Sequence, residues 1–377
     1  MSKLDLTVDR ADILRALQTC ATLADKAASV IPIIRSVLLI ATDDSLTISA
    51  TNTEVTLRLA CPARIREAGA LVIDLVTLKD FLGNLPEDSA ILTHAGGKFP
   101  LKIESGTTKF SVPIVKLADD YPTLPVEEPT KVPFAVDDVT AVADAYRAVV
   151  YAIGDGVRTT GDGTILAKGV SIIADADRIE FCATDGLRLA ITTMHGSTPS
   201  DARDITPPAA IRALAKFSGS AQFYIGDRHT FIRFMDGSML AYRRFDTKFP
   251  DYSRHRKIAL NSESALTLER KRLADAVRRA LILTPSDRGV EIMAAMGRLT
   301  VRPMKAERGE GSDTMPYEGD SGLRFEASGP YMLQALDAMD DETITMAQEG
   351  AVIVLRPVVS DLDAPETMHG FGTCGNY

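Results

Sequence analysis

The chain states one plan three times. Residues 4–24 (LDLTVDRADILRALQTCATLA), 133–152 (PFAVDDVTAVADAYRAVVYA) and 266–283 (LTLERKRLADAVRRALIL) each run from a short apolar strand through an acidic or polar residue into an amphipathic helix. In the third copy Leu273, Val277, Ala280 and Leu281 recur at helical spacing. Asp9, Asp137 and Glu269 stand at the helix starts, where a carboxylate suits the unpaired N–H groups and the helix dipole. A second helix recurs in residues 71–91, 204–225 and 323–346, each reading strand, break, short helix, turn, strand. Pro207, Pro208 and Pro330 fall at helix entries, where proline is tolerated.

Between the helices lie alternating strands. SLTISATNTEVTLRLA in the first copy and DRIEFCATDGLRLAITT in the second say nearly the same thing, and the third keeps only GVEIMAAMGRLTVRP. The first two copies also end alike, TKFSVPIVKLADDYPTLP (108–125) echoing SMLAYRRFDTKFPDYSRH (238–255). The repeat predicts an α+β chain of three tandem homologous domains, 1–127, 128–256 and 257–377, each with two helices and about eight strands. Residues 126–133 and 256–265 read as linkers, 304–322 as a long polar loop, and the glycine-rich ending APETMHGFGTCGNY as a segment that is not a strand.

A length of 377 residues accommodates such domains. The start MSKLDLTVDRAD has no apolar targeting core, and the apolar runs fall short of the ~18 residues a membrane helix needs. A soluble cytoplasmic protein without membrane contacts is expected. The four cysteines (20, 61, 182, 374) are scattered and form no CxxC pair, so reduced thiols are expected rather than a zinc site; Cys374, in the polar tail, is expected to be exposed. With five histidines and no triad, ligand cluster or phosphate-cradling loop, no catalytic residue, metal or cofactor is expected. Neighbouring carboxylates such as Asp119–Asp120 and Asp340–Asp341 do not converge, because adjacent residues diverge on a helix and face opposite ways in a strand. An enzyme on this scaffold is therefore the weakest reading. A net charge of −9 argues against a nucleic-acid partner unless the basic residues gather on one face.

At Ala183-Thr184-Asp185-Gly186, Arg188-Leu189-Ala190 and Phe249-Pro250-Asp251-Tyr252 with Arg254, together with IPIIRSVLLIA (31–41) and LPEDSAI (85–91), the chain resembles the bacterial sliding clamps, the beta subunit of DNA polymerase III, over essentially its whole length. The resemblance implies the DNA-clamp fold and a head-to-tail homodimer whose six domains close a ring around duplex DNA. It implies a non-catalytic processivity factor that tethers the polymerase and meets the clamp loader through linear peptides. A basic bore inside an acidic ring would resolve the charge. Its candidate residues are Arg10, Arg15, Lys26, Lys79, Arg147, Arg212, Lys216, Arg270, Lys271, Arg272, Arg278 and Arg279, although lysine and arginine also coat exposed helix faces of proteins that bind no DNA. The last helix, with Asp337, Asp340 and Asp341, departs from a uniformly basic bore.

The resemblance also implies a groove for partner peptides rich in Gln, Leu and Phe, at Thr184, Gly186, Leu187, Arg188, Leu189, Pro250, Arg254 and Met368. Asp185-Gly186 reads independently as a turn pair, and as a plain hairpin turn it would need no pocket. Three features depart from the family pattern: Leu187 where histidine is common, the small glycine-rich stretch 158–169 where aromatics cluster, and the tail. They motivate an alternative, a diverged clamp paralogue of a mobile element or secondary replication system with other partners. Ring closure is expected near strands 101–115 and helix 270–283.

Overall fold

The computed structural model describes residues 3–23, 32–42, 45–116, 118–122, 134–154, 168–175, 178–196, 202–261, 265–284, 288–319, 322–358 and 367–372. The 126–133 linker, Lys26, Cys374 and nearly all of 158–169 lie outside these residues.

The repeated plan is present in the element order. The helices are α1 (Arg10–Cys20), α2 (Leu75–Gly83), α3 (Val139–Val149), α4 (Pro208–Leu214), α5 (Ser253–Asn261), α6 (Arg270–Leu283) and α7 (Gly329–Asp337). α1, α3 and α6 each follow a strand that opens a repeat; α2, α4 and α7 each precede its last three strands. Capping fixes the helix starts. Asp9 accepts from Ala11 N and Asp12 N, and Asp74 from Thr77 N. In the second repeat the cap residue is Asp138, which accepts from Thr140 N at 2.9 Å, and not the expected Asp137. That bond holds its carboxyl below the usual range. Glu269 occupies the N-cap position of α6 without a side-chain bond.

The chain divides into two compact units, residues 1–143 with 206–244, and 144–205 with 245–377. The middle repeat is divided because its strands extend its neighbours' sheets. In the first unit an antiparallel eight-stranded sheet continues from Met239–Arg243 directly into Val55–Cys61. A five-stranded sheet there ends on the edge strand Thr108–Val112. In the second unit an eight-stranded sheet passes from Arg188–His195 into Thr367–Gly372, and a four-stranded sheet ends on Asp313–Pro316.

Apolar stripes bury as their periods require. α6 sets Leu273, Ala276 and Val277 against Val290, Ile292 and Leu299 of the four-stranded sheet and Met332 and Leu336 of α7. Each large side chain so covered stabilises by about 1.5–3 kcal/mol.

Three expectations are corrected. Residues 256–265 are not simply a linker, because α5 runs to Asn261: Asp251 accepts from Ser253 N at 2.9 Å and starts a helix there. The 304–322 stretch contains the edge strand Asp313–Pro316. The tail contains the strand Thr367–Gly372, paired on one side with Arg188–His195 and on the other with Val352–Pro357. Two flanking ladders supply the main-chain bonds that low propensity argued against, and Met368 and Phe371 are buried.

Candidate functional site

Thr184 to Leu189 form a side-chain-braced turn. Thr184 Oγ1 accepts from Gly186 N (3.1 Å) and donates to Arg188 O (2.7 Å). Asp185 Oδ1 accepts from Leu187 N (3.0 Å) and Arg188 N (3.1 Å). Gly186 sits at φ +86°, a left-handed conformation glycine adopts without a Cβ penalty. Arg188 N and C=O are thereby fixed at the start of a strand, and Leu187 O accepts from Gly372 N at 3.2 Å.

This turn forms one wall of a cleft of about 330 Å³. Thr184, Gly186, Leu187, Arg188 and Leu189 line it, as do Pro250 and Met368, so seven of the eight residues expected in the groove are brought together. The eighth, Arg254, lies instead in a neighbouring cleft with Ser253 and Lys257. One position along α5 is a rotation of roughly 100°, and His255 faces the groove in its place. Asp251, Tyr252, Val352, Gly370 and Phe371 also line the groove and were missed. The Asp251–Ser253 capping pattern was the available signal for His255. Val352, Gly370 and Phe371 depended on recognising the last strand.

The groove floor is apolar and backed by Cys182, Ile191, Val354 and Met368, with Leu189, Phe249, Tyr252 and Val352 packed against them. The Tyr252 wall is held by a buried polar contact. Tyr252 donates to Glu180 Oε1 at 2.6 Å, and burial pushes its hydroxyl pKa well up. Arg256 Nε lies 3.0 Å from Glu180 Oε2, an ion pair rather than an aligned hydrogen bond, and Glu180 is only 6% exposed. The Arg188 head group is also engaged. It binds Asp185 Oδ2 (3.0 Å) and Gln334 and stacks over the rings of Tyr151 (5.3 Å) and Tyr331 (4.5 Å). Arg188 thus braces the wall with its guanidinium already satisfied. Behind it Tyr151 Oη and His369 Nδ1 are 2.8 Å apart, and burial pushes the His369 pKa down to about 3. The arrangement suits capture of an apolar, extended ligand with main-chain and backbone-like polar contacts.

The described residues expected to face DNA divide into three sets. Arg10 donates to Leu85 O, and Arg270 donates to Asp341 O and Leu336 O, so both hold chain turns. Arg15 pairs with Asp12, Lys79 with Asp80, Arg147 with Asp144 and Asp340, Arg278 with Asp275 and Asp337, and Arg279 with Asp313. Arg212, Lys216, Lys271 and Arg272 are exposed and have no ion pair among the described residues.

The buried thiols of Cys20 and Cys61 are pushed up to about 12 by burial, and Cys182 is raised as well. Among the described residues no group of three or more His, Cys, Asp or Glu is placed to hold a metal. No helix among them is long and apolar enough to cross a membrane.

Residues 4–125 match the model of the DNA polymerase III beta subunit, N-terminal domain. The beta sliding clamp of Pseudomonas putida is 25% identical over 362 residues, covering 90% of this chain and 92% of that protein. The clamp of Caulobacter vibrioides is 26% identical over 336 residues, covering 84% and 85%. The crystal structure of the beta subunit from Thermotoga maritima superimposes with a TM-score of 0.85 at 18% identity, over 99% of this chain and 100% of that one. The Bacillus subtilis clamp gives 0.84, also at 18% identity, over the whole of both chains. One repeat matches the model of the DNA polymerase III beta subunit N-terminal domain, the chain is similar to bacterial sliding clamps along nine-tenths of its length, and its fold is that of the beta subunit throughout.

Proposed function

We propose that this protein is a non-catalytic processivity clamp: two copies close head to tail around duplex DNA, and the groove beside Leu187 tethers the polymerase and clamp loader by their linear peptides. The observation that carries the reading is the 330 Å³ cleft, in which an apolar floor meets a braced turn and the Pro250–Tyr252 wall. A clamp from C. crescentus holds polyethylene glycol at a region assigned to beta-motif tethering.

The repeat supports closure by its own pairing rule. The last strand of the second repeat, Met239–Arg243, pairs with Val55–Cys61 of the first; the last strand of the third, Thr367–Gly372, pairs with Arg188–His195 of the second. One last strand remains, Thr108–Val112, and it is a sheet edge; so is Asp313–Pro316, the third repeat's counterpart of the receiving strands. Such edges invite pairing with another chain. Phe110, 52% exposed on the first edge, offers an apolar knob, and the second edge borders a 170 Å³ cleft lined by Ala276, Ala280, Leu283 and Val301. Isologous faces are not required: a head-to-tail contact closes when its rotation does. Duplex contact would be weak, since many of the helix cations already face carboxylates and few remain for phosphates.

The test is fluorescence anisotropy with a labelled peptide rich in Gln, Leu and Phe, against the wild type and an Arg188→Ala/Pro250→Ala variant. Saturable binding lost in the variant is expected. A folded protein that binds no such peptide would instead be a paralogue serving other partners, and a monomeric mass at micromolar concentration would sink the closed ring.

A further inference from the structure

Beside the groove lies a second, open cleft of about 550 Å³, lined by Asp251, Ser253, Arg254, Lys257, Ile258 and Glu349. Asp251 lines both, so the two clefts adjoin at that residue. The helix between them, α5, reads SRHRKIALN: four basic residues and no carboxylate. Its Arg256 turns inward to Glu180. Arg254 and Lys257, one turn apart and therefore on one face, are exposed. Neither has an ion pair or hydrogen bond among the described residues.

Arg212, Lys216, Lys271 and Arg272 are likewise exposed and without an ion pair among the described residues, but none of them lines the groove or the cleft beside it. Arg15, Arg147, Arg278, Arg279 and Arg324 are each within ion-pair distance of a carboxylate. The two carboxylates at the cleft do not neutralise α5 in the same way. Asp251 caps it, accepting from Ser253 N and Oγ, which holds the Asp251 carboxyl below its usual range. Glu349 belongs to the strand Thr343–Glu349 and forms no ion pair with either cation among the described residues.

Building on the peptide-groove reading, we infer that this cleft receives an acidic stretch of the same partner protein whose apolar motif fills the groove. Arg254 and Lys257 supply the charge. The shared border at Asp251 puts both clefts within reach of one extended segment. A nucleic-acid strand is the poorer occupant, because two cations neutralise little of a continuous phosphate backbone but suffice for a few acidic side chains. Pairs at such a solvated rim steer association and add modest affinity.

The experiment compares a labelled Gln/Leu/Phe core peptide with the same peptide carrying three acidic residues at one end or at the other. The readout is the ratio of the two dissociation constants, for the wild-type protein and for Arg254→Ala/Lys257→Ala. One flanked peptide should bind the wild type about five- to tenfold more tightly than the core at low ionic strength, and the gain should shrink in salt. In the double variant the ratio should fall to about one; both side chains are exposed, so the fold should survive, as circular dichroism can verify. A core peptide that binds while neither flank helps would overturn this inference and leave the groove reading standing. Failure of every peptide would overturn the groove reading itself. A single-stranded oligonucleotide that binds the wild type and not the double variant would assign the cleft to nucleic acid and overturn the inference.

Discussion

The turns at 51–56 and 184–189 share one hydrogen-bond skeleton, yet only the second is a wall of the groove described above. Thr51 Oγ1 accepts from Thr53 N (3.1 Å) and donates to Val55 O (3.0 Å), and Asn52 Oδ1 accepts from Glu54 N and Val55 N. These are the bonds of Thr184 and Asp185, and the next repeat's last strand is tied to each turn alike: Arg243 N to Glu54 O, Gly372 N to Leu187 O. The difference lies in the segment that follows each repeat. After the first, Val115 N and Val72 N exchange main-chain bonds with Val72 O and Lys116 O, and Tyr121 buries its hydroxyl against Ser36 O. After the second, residues 249–252 make no such main-chain pair among the described residues, and the segment is docked by side chains, Tyr252 and Arg256 on Glu180. Side-chain docking leaves space where main-chain docking fills it.

Breaking that docking should have the largest effect. Glu180→Gln leaves the Arg256 charge unpaired in a half-buried site. We expect a stability loss of about 3 kcal/mol in urea denaturation and a roughly tenfold weaker core peptide. The matching change in the first repeat, Tyr121→Phe, removes one buried hydroxyl bond, should cost about 1 kcal/mol, and should leave peptide binding alone. Wild-type affinity in Glu180→Gln would mean that the wall is positioned by its apolar packing instead.

The two strand seams also differ in their matched pairs, one of which carries a titratable group. Leu240 faces Leu57 in the first, and His369 faces Ala190 in the second. An unfolded imidazole takes up a proton below about pH 6.5, but folded His369 does so only near 3. Between those values the unfolded chain binds more protons, so stability present at neutral pH is lost as pH falls, by up to about 1.4 kcal/mol per unit. From pH 6.5 to 4.5 the second seam should lose roughly 2–3 kcal/mol on this account. His369→Gln, which can still bond to Tyr151, should flatten the acid limb of the urea midpoint; an unchanged limb would place the acid sensitivity elsewhere.

How much of this was legible depended on whether a signal was local. The turns, the caps at Asp9 and Asp74 and the helix faces were readable because their causes lie within a few residues. The groove residues on the TDGLRLA turn were legible from the family resemblance and from the turn chemistry together. The last strand was not, because Gly370 and Gly372 argue against a strand locally and one of the two ladders that make it one comes from residues over a hundred positions away in Arg188–His195. The pairing of the helix cations was out of reach for the same reason: that Arg147 meets Asp340 and Arg278 meets Asp337 is a tertiary fact that composition does not contain.

The smallest expected effect sharpens the turn comparison itself. Both skeletons need a left-handed residue at the third position, but the first repeat places Thr53 there at φ +75° and the second Gly186 at φ +86°. A β-branched residue in that conformation is strained, at a cost of about 1–2 kcal/mol. Thr53→Gly should therefore stabilise the first unit, by about 1 kcal/mol after the added freedom of the unfolded chain is subtracted. Gly186→Thr should destabilise the second by a similar amount while the four side-chain bonds persist. Paired urea midpoints moving in opposite directions would show that the turns are one device tuned twice. A Thr53→Gly protein no more stable than the wild type would mean that Thr53 has a compensating contact and that the two turns differ in more than their strain.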